Sequence, residues 1–124
     1  MADIYDQHAK AFACVSAFVV LHKGERVATI AFKFPADGAR RLYAYVHWLG
    51  TEMVRGYAGG YGYDKKTAAC ADAARKALAR PRDKHDVGEK QAAEYTFWAE
   101  LAKDGGQHWD GALRDAGFTV LQAV

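Results

Sequence analysis

Hydrophobic and polar positions alternate with a period of two along the first half of the chain and change to a helical period in the second. The longest apolar run is residues 11–21, AFACVSAFVVL. Phe12, Cys14, Ser16, Phe18 and Val20 share one face of a strand, and Val15, Val19 and Leu21 share the other, so both faces are expected to be partly covered. The paired valines and two phenylalanines favour a strand over a helix. His22-Lys23-Gly24-Glu25 is a short polar break suited to a tight hairpin. In residues 26–34, Ala28, Ile30, Phe32 and Phe34 point one way, while Thr29 and Lys33 point the other. A Pro35–Gly38 turn leads to a third strand at residues 41–49. There Leu42, Ala44, Val46 and Trp48 line one face, and Tyr43, Tyr45 and His47 line an exposed one. Gly50-Thr51-Glu52 turns the chain into a shorter strand at 53–57, which completes an antiparallel meander of about four strands.

The helical half opens on a glycine- and tyrosine-rich loop from Arg55 to Asp64. Asp64 is placed as an N-cap, its carboxylate accepting from the free amides of the first turn. The run KKTAACADAARKALA is dense in alanine, the strongest helix former. Cys70, Ala74, Ala77 and Leu78, with Ala69 or Ala73, give its apolar stripe. Arg80-Pro81 ends the helix, since proline disfavours helical backbone at the residue before it. A polar connection covers 81–88. A second helix spans about 89 to 103, with Tyr95, Trp98, Leu101 and Ala102 as its buried stripe and Gly105-Gly106 as its stop. Residues 107–116 form a short third helix, and FTVLQAV returns as a last strand. The expectation is an α+β fold in a single domain over residues 1–124. It has an antiparallel sheet of four to five strands, with two main helices and one short helix on one face.

Composition narrows the class. A chain of 124 residues, 51% hydrophobic and 26% charged, can bury a core without metal or disulfide staples. A net charge of +2 is too small by itself to mark a dedicated nucleic-acid binder. Cys14 and Cys70 lie far apart and outside any C-x-x-C pattern, which fits a reducing compartment. The apolar run at 11–21 is too short to span a bilayer. Asp3 and Asp6 stand before it where a secretory signal would be basic. A cytoplasmic location without membrane contact is therefore expected.

Candidate chemistry centres on the glycine loop, RGYAGGYGYDK from Arg55 to Lys65. Glycine loops before helices can cradle phosphate, but this one lacks both G-K-[ST] and G-x-G-x-x-G, and Asp64 would repel an anion. Two readings remain. The glycines either permit left-handed backbone and close approach to the sheet, or hold a contact loop that presents Tyr57, Tyr61 and Tyr63. Arg75, Lys76, Arg80, Arg82 and Lys84 gather near a helix C-terminus, where cations offset the dipole. With Lys65 and Lys66 they also suit nucleic acid or an acidic protein. Tyr43 and Tyr45 could stack bases, yet no RNA-recognition signature is present. The five histidines, at 8, 22, 47, 85 and 108, are scattered, so neither a metal nor another cofactor is expected. Cys70 with His47 or His108 is the nearest thing to a nucleophile and base. Its place on an apolar stripe marks it instead as a core thiol, so no catalytic residue is assigned and enzymatic activity is not expected.

The stretch RLYAYVHWLG…MVRGYAGGYGYDKKTAACADAA, with the tail HWDGALRDAGFTVLQAV, resembles small accessory proteins of bacteriophages and integrated mobile elements. The resemblance covers residues 40–75 and 107–124 and includes no catalytic motif. It implies an interaction protein, and some such proteins are anti-CRISPR proteins, which bind and block a host CRISPR–Cas complex. The implied partner is a host protein or ribonucleoprotein complex. A nucleic acid is the alternative, and an exposed tyrosine face would suit a homodimer. Tyrosine and arginine dominate binding hot spots, which makes Tyr57, Tyr61, Tyr63, Arg75 and Arg80 the candidate contacts. Lys65 and Arg82 join them from the basic segments.

Overall fold

The alternating half of the chain folds as the meander its pattern predicts. The structure, a computed structural model, describes residues 12–35, 41–59, 63–80 and 88–123. Four strands come first: β1 (Phe12–His22), β2 (Glu25–Pro35), β3 (Arg41–Trp48) and β4 (Val54–Gly59). Helices α1 (Tyr63–Leu78) and α2 (Glu89–Ala102) follow, then a single 3-10 turn (Lys103–Gly106), α3 (Trp109–Asp115) and β5 (Phe118–Gln122). All pairings are antiparallel, in the order β4-β3-β2-β1-β5. The last strand thus returns to the sheet beside the first. This is the expected α+β fold, with two main helices and one short helix on one face of a five-stranded sheet.

Register decides which side chains meet the helices. Phe18, Ile30, Val46 and Val54 form one row across the sheet, and Ala44 pairs with Gly56 in the next. Ile30, Phe32, Leu42, Ala44, Val46 and Trp48 are buried in one apolar core with Ala69, Cys70 and Ala73 of α1. Phe97, Trp98 and Leu101 of α2 and Trp109 and Leu113 of α3 complete it. Each large side chain so buried contributes about 1.5–3 kcal/mol. Aromatic contacts lock the layers together: Phe18 meets Trp109 at 5.0 Å, Phe32 meets Trp109 at 5.6 Å, and Trp48 meets Phe97 at 5.3 Å between centroids.

The β1–β2 hairpin closes on Lys23 (φ 53) and Gly24 (φ 81), while His22 and Glu25 pair across it. Positive φ at both central residues is the primed turn that matches strand twist. α2 ends where Lys103 turns to extended backbone (φ −60, ψ 134), and Asp104, Gly105 and Gly106 follow with positive φ, close to the stop that the paired glycines predict. Gly106 is buried against α1, where an added Cβ would collide with the Thr67 carbonyl.

Four expectations change. The stretch Arg55–Gly59 is strand rather than loop, because its small residues alternate with Arg55 and Tyr57. Residues 60–62 of that loop lie outside the described residues. α1 begins at Tyr63, which puts Asp64 inside the first turn and not at the cap. Tyr95 is 55% exposed. The buried stripe of α2 centres on Phe97, Trp98 and Leu101, and Tyr95 falls outside it, on the flank beyond Trp98. Finally, Tyr45 on the outer sheet face is buried, not exposed. It clusters with the small Ala17 and Ala31, and Tyr43 and Met53 pack against them. Lys33 is also buried there, its ammonium 5.4 Å from the centre of the Tyr45 ring, where the ring's negative face offsets lost hydration.

Candidate interaction surface

Of the residues singled out by sequence, Tyr57, Arg75 and Arg80 meet at β4 and the adjoining side of α1. β4 ends the sheet, so among the described residues the backbone groups on its outer side have no neighbouring strand. Such an edge is a template for unwanted pairing. Here Asp72 and Lys76 of α1, with Arg80 two residues past its end, close it and the segment leading into it. Asp72 Oδ2 accepts the Tyr57 N–H at 3.0 Å, and Lys76 Nζ donates to the Arg55 carbonyl at 3.2 Å. Arg80 donates from Nη1 to the Glu52 carbonyl at 3.1 Å and from Nη2 to the Met53 carbonyl at 3.4 Å. Spacing of i and i+4 keeps Asp72 and Lys76 on one side of the helix, and the alternation of an antiparallel strand presents the Arg55 and Tyr57 backbone groups to them.

These contacts tune Asp72. Burial pushes its carboxyl up, but the hydrogen bonds from Lys76 and the Tyr57 amide, with the charges of Lys76 and Arg75, outweigh burial. The carboxyl therefore lies below the ordinary carboxylate value. Lys76 Nζ stands 2.9 Å from Asp72 Oδ2, while Arg75 reaches Asp72 Oδ1 at only 3.8 Å and stays largely exposed.

Beside the closed edge, the outer sheet face carries a ladder of three tyrosines. Cross-strand register sets Tyr43 opposite Tyr57 and Tyr45 opposite Arg55. Ring centroids are 6.2 Å apart from Tyr45 to Tyr43 and again from Tyr43 to Tyr57. The ladder grades from buried Tyr45 through half-buried Tyr43 to Tyr57, which is 55% exposed. Cations flank it: the Arg55 guanidinium lies 4.9 Å from the Tyr43 ring centre, and Lys76 Nζ lies 5.5 Å from that of Tyr57. Burial raises the Tyr45 hydroxyl above the usual phenol value, partly offset by a hydrogen bond and the charge from Arg55.

Of the expected contacts, Tyr57 and Arg75 stand on this surface and are exposed. Arg80 is half-buried with its guanidinium on two backbone carbonyls, and Lys65 is half-buried in the first turn of α1. Tyr63 is the first residue of α1, while Tyr61 and Arg82 lie outside the described residues. Tyr43, Arg55 and Lys76 join the surface without having been assigned contacts. The signal for the first two was present, since RLYAYVHW and VRGYAG place Tyr43 and Arg55 on the same alternating phase as Tyr57 once paired.

The other candidate chemistry does not assemble. Cys70 is fully buried among the apolar side chains of the core, and burial, with a smaller effect from the Asp110 charge, pushes its thiol far above the ordinary value. His47 sits on the outer face, its Nε2 2.9 Å from the Thr51 carbonyl, and His108 is exposed. Neither pairs with Cys70. Among the described residues no cluster of histidine, cysteine or carboxylate side chains could hold a metal ion, and no helix is long and apolar enough to cross a membrane. No protein-family model, curated protein or solved structure matches this chain.

Proposed function

We propose that this chain is a binding protein which engages a host protein or ribonucleoprotein complex through Tyr57, Tyr43, Arg55, Arg75 and Lys76. The observation behind this reading is Tyr57, a largely exposed aromatic seated on a second tyrosine between two cations. Tyrosine offers large rigid area with few rotatable bonds, and arginine offers directed polar contacts, so the pairing suits a binding hot spot. The excess of cations over the single carboxylate of Asp72 favours an acidic partner surface. The resemblance to bacteriophage and mobile-element proteins supports a bacterial cytoplasmic setting and a CRISPR–Cas complex as the partner, blocked by steric occlusion.

The test is capture of purified CRISPR–Cas complexes by the immobilised chain, compared with a Tyr57→Ala, Arg55→Ala double variant. The reading expects capture by the parent and at least a tenfold loss in the variant, about 1.4 kcal/mol or more, with the melting temperature little changed. No capture of any such complex removes the CRISPR assignment, and equal capture by the variant removes this surface.

A second reading uses the same ladder. Stacked aromatic rings beside cations also suit single-stranded nucleic acid, with Lys65, Lys66 and Arg75 along the backbone. Counterion release would make such binding fall steeply with salt. Absence of binding to single-stranded RNA and DNA at low salt removes it.

A further inference from the structure

A cleft of about 400 Å³ opens where the β1–β2 turn, the end of β3 and helix α2 come together. That volume lies within the range of small-molecule sites. Its apolar part is made by Val27, Trp48, Leu49 and Ala93. Trp48 is backed by Phe97 at 5.3 Å and Phe118 at 6.3 Å between centroids, so the floor is held by the core rather than by a loop. Its charged part comes from Lys23 and Arg26, with Glu25 beside them and His22 at the margin. Among the described residues, the lining thus sets two cations beside one carboxylate.

Lys23 supplies a second, separate observation. It holds left-handed backbone, φ 53, at the first central position of the primed turn. Glycine, asparagine and aspartate take that position without strain, while a long side chain is there at a conformational cost. Strained backbone persists where the surroundings or the function require it, and here the strained residue is a cation on the wall of the cleft.

We propose that this cleft binds a small amphipathic organic anion, its apolar body against Val27, Trp48, Leu49 and Ala93 and its carboxylate beside Lys23 and Arg26. The mixture of an apolar floor and a few placed polar groups is what fixes orientation in small-ligand sites. A charge-assisted contact to the carboxylate then separates the anion from a neutral molecule of the same shape. None of the tyrosine-ladder residues lines the cleft, so this site stands or falls independently of the proposed binding surface.

The full chain, labelled with 15N, is titrated with 4-phenylbutyrate and followed at the amides of Val27, Leu49 and Ala93 and the indole N–H of Trp48. The expected result is saturable shifts at these four groups with a Kd of about 1 mM or tighter. The neutral 4-phenylbutyramide should bind at least about fivefold more weakly, and acetate should leave the Trp48 indole unmoved. Lys23→Asn should raise the melting temperature by about 2–5 °C, through relief of the turn, while reducing the preference for the carboxylate. Lys23→Asn combined with Arg26→Gln should abolish that preference. Absence of saturable shifts up to about 10 mM ligand, equal affinity for the amide, or a double variant that keeps the preference overturns the proposal.

Discussion

Gly56 shows how much a missing side chain can do. It lies in β4 opposite Ala44, and a Cβ built on it would overlap the Ala69 carbonyl and the Ala73 amide of α1. The alanines of α1 therefore have a role beyond helix propensity: with Gly56 they let helix backbone rest directly on strand backbone. Gly56→Ala should destabilise the protein by about 3 kcal/mol or more, since the obstacle is main chain and cannot swing aside. Urea unfolding measures this, and a loss below about 1 kcal/mol would mean that α1 can shift away from the sheet. Thr29 makes the opposite case. It is buried on the outer face, and its hydroxyl has no hydrogen-bond partner among the described residues. Thr29→Val keeps the β-branched shape and removes an unsatisfied polar atom, so it should stabilise by about 1 kcal/mol in the same assay. The glycine was visible in sequence, but its reason was not. RGYAGGYGY reads as a loop because Gly56 and Ala58 conceal the inward phase of a strand.

At the scale of elements, the closed edge of β4 is the clearest design in the molecule. Asp72 and Lys76 satisfy two outward backbone groups of β4 that would otherwise invite another strand, and Arg80 ties down the Glu52 and Met53 carbonyls just before it. The sequence suggested only that such cations offset a helix dipole. Their aim at β4 depends on where α1 crosses the sheet, which the tight Gly56 contact sets. The opposite edge has a smaller version of the device, where Arg114 donates to the Val120 carbonyl at 3.2 Å while pairing with Asp110 at 3.1 Å. Replacing Asp72, Lys76 and Arg80 together with alanine should leave the core intact but free the β4 edge. Light scattering should then show concentration-dependent self-association that the parent lacks, and a strictly monomeric triple variant would show that the edge needs no closure. Asp72 also gives this element a pH dependence. Its folded carboxyl lies below the unfolded value, so its contribution is fully present above about pH 3.9. It is lost as the pH falls through the lower folded value. The stability difference between the parent and Asp72→Asn, measured by denaturant titration at several pH values, should therefore be constant near neutrality and vanish in strong acid.

At the scale of the whole molecule, the sheet and helices were legible because their burial is periodic: Ile30, Phe32, Val46 and Trp48 announce one face on their own. What sequence did not show arises only when elements meet. Tyr45 reads as surface on β3, yet it fills the space over Ala17 and Ala31 from neighbouring strands. The tyrosine ladder needs the β3–β4 register, and the cleft at Lys23 needs α2 to arrive beside the hairpin. Cys70 gives a way to test how far the molecule behaves as one cooperative unit. It is fully buried in the core shared by the sheet and the helices, and burial holds its thiol protonated. Thiolate attack on an alkylating or disulfide reagent therefore requires opening of the helix layer. In a Cys14→Ser chain, where Cys70 is the remaining thiol, labelling should run at least about 1000-fold slower than for an unfolded control. The rate should rise with urea along the same slope as global unfolding. Were α1 to open separately from the sheet, Cys70 would label faster than global unfolding allows and with a shallower urea dependence. In that event the surface built jointly from β4 and α1 would exist only part of the time. Matching slopes would instead mean that the ladder, its flanking cations and the closed edge are presented together whenever the protein is folded.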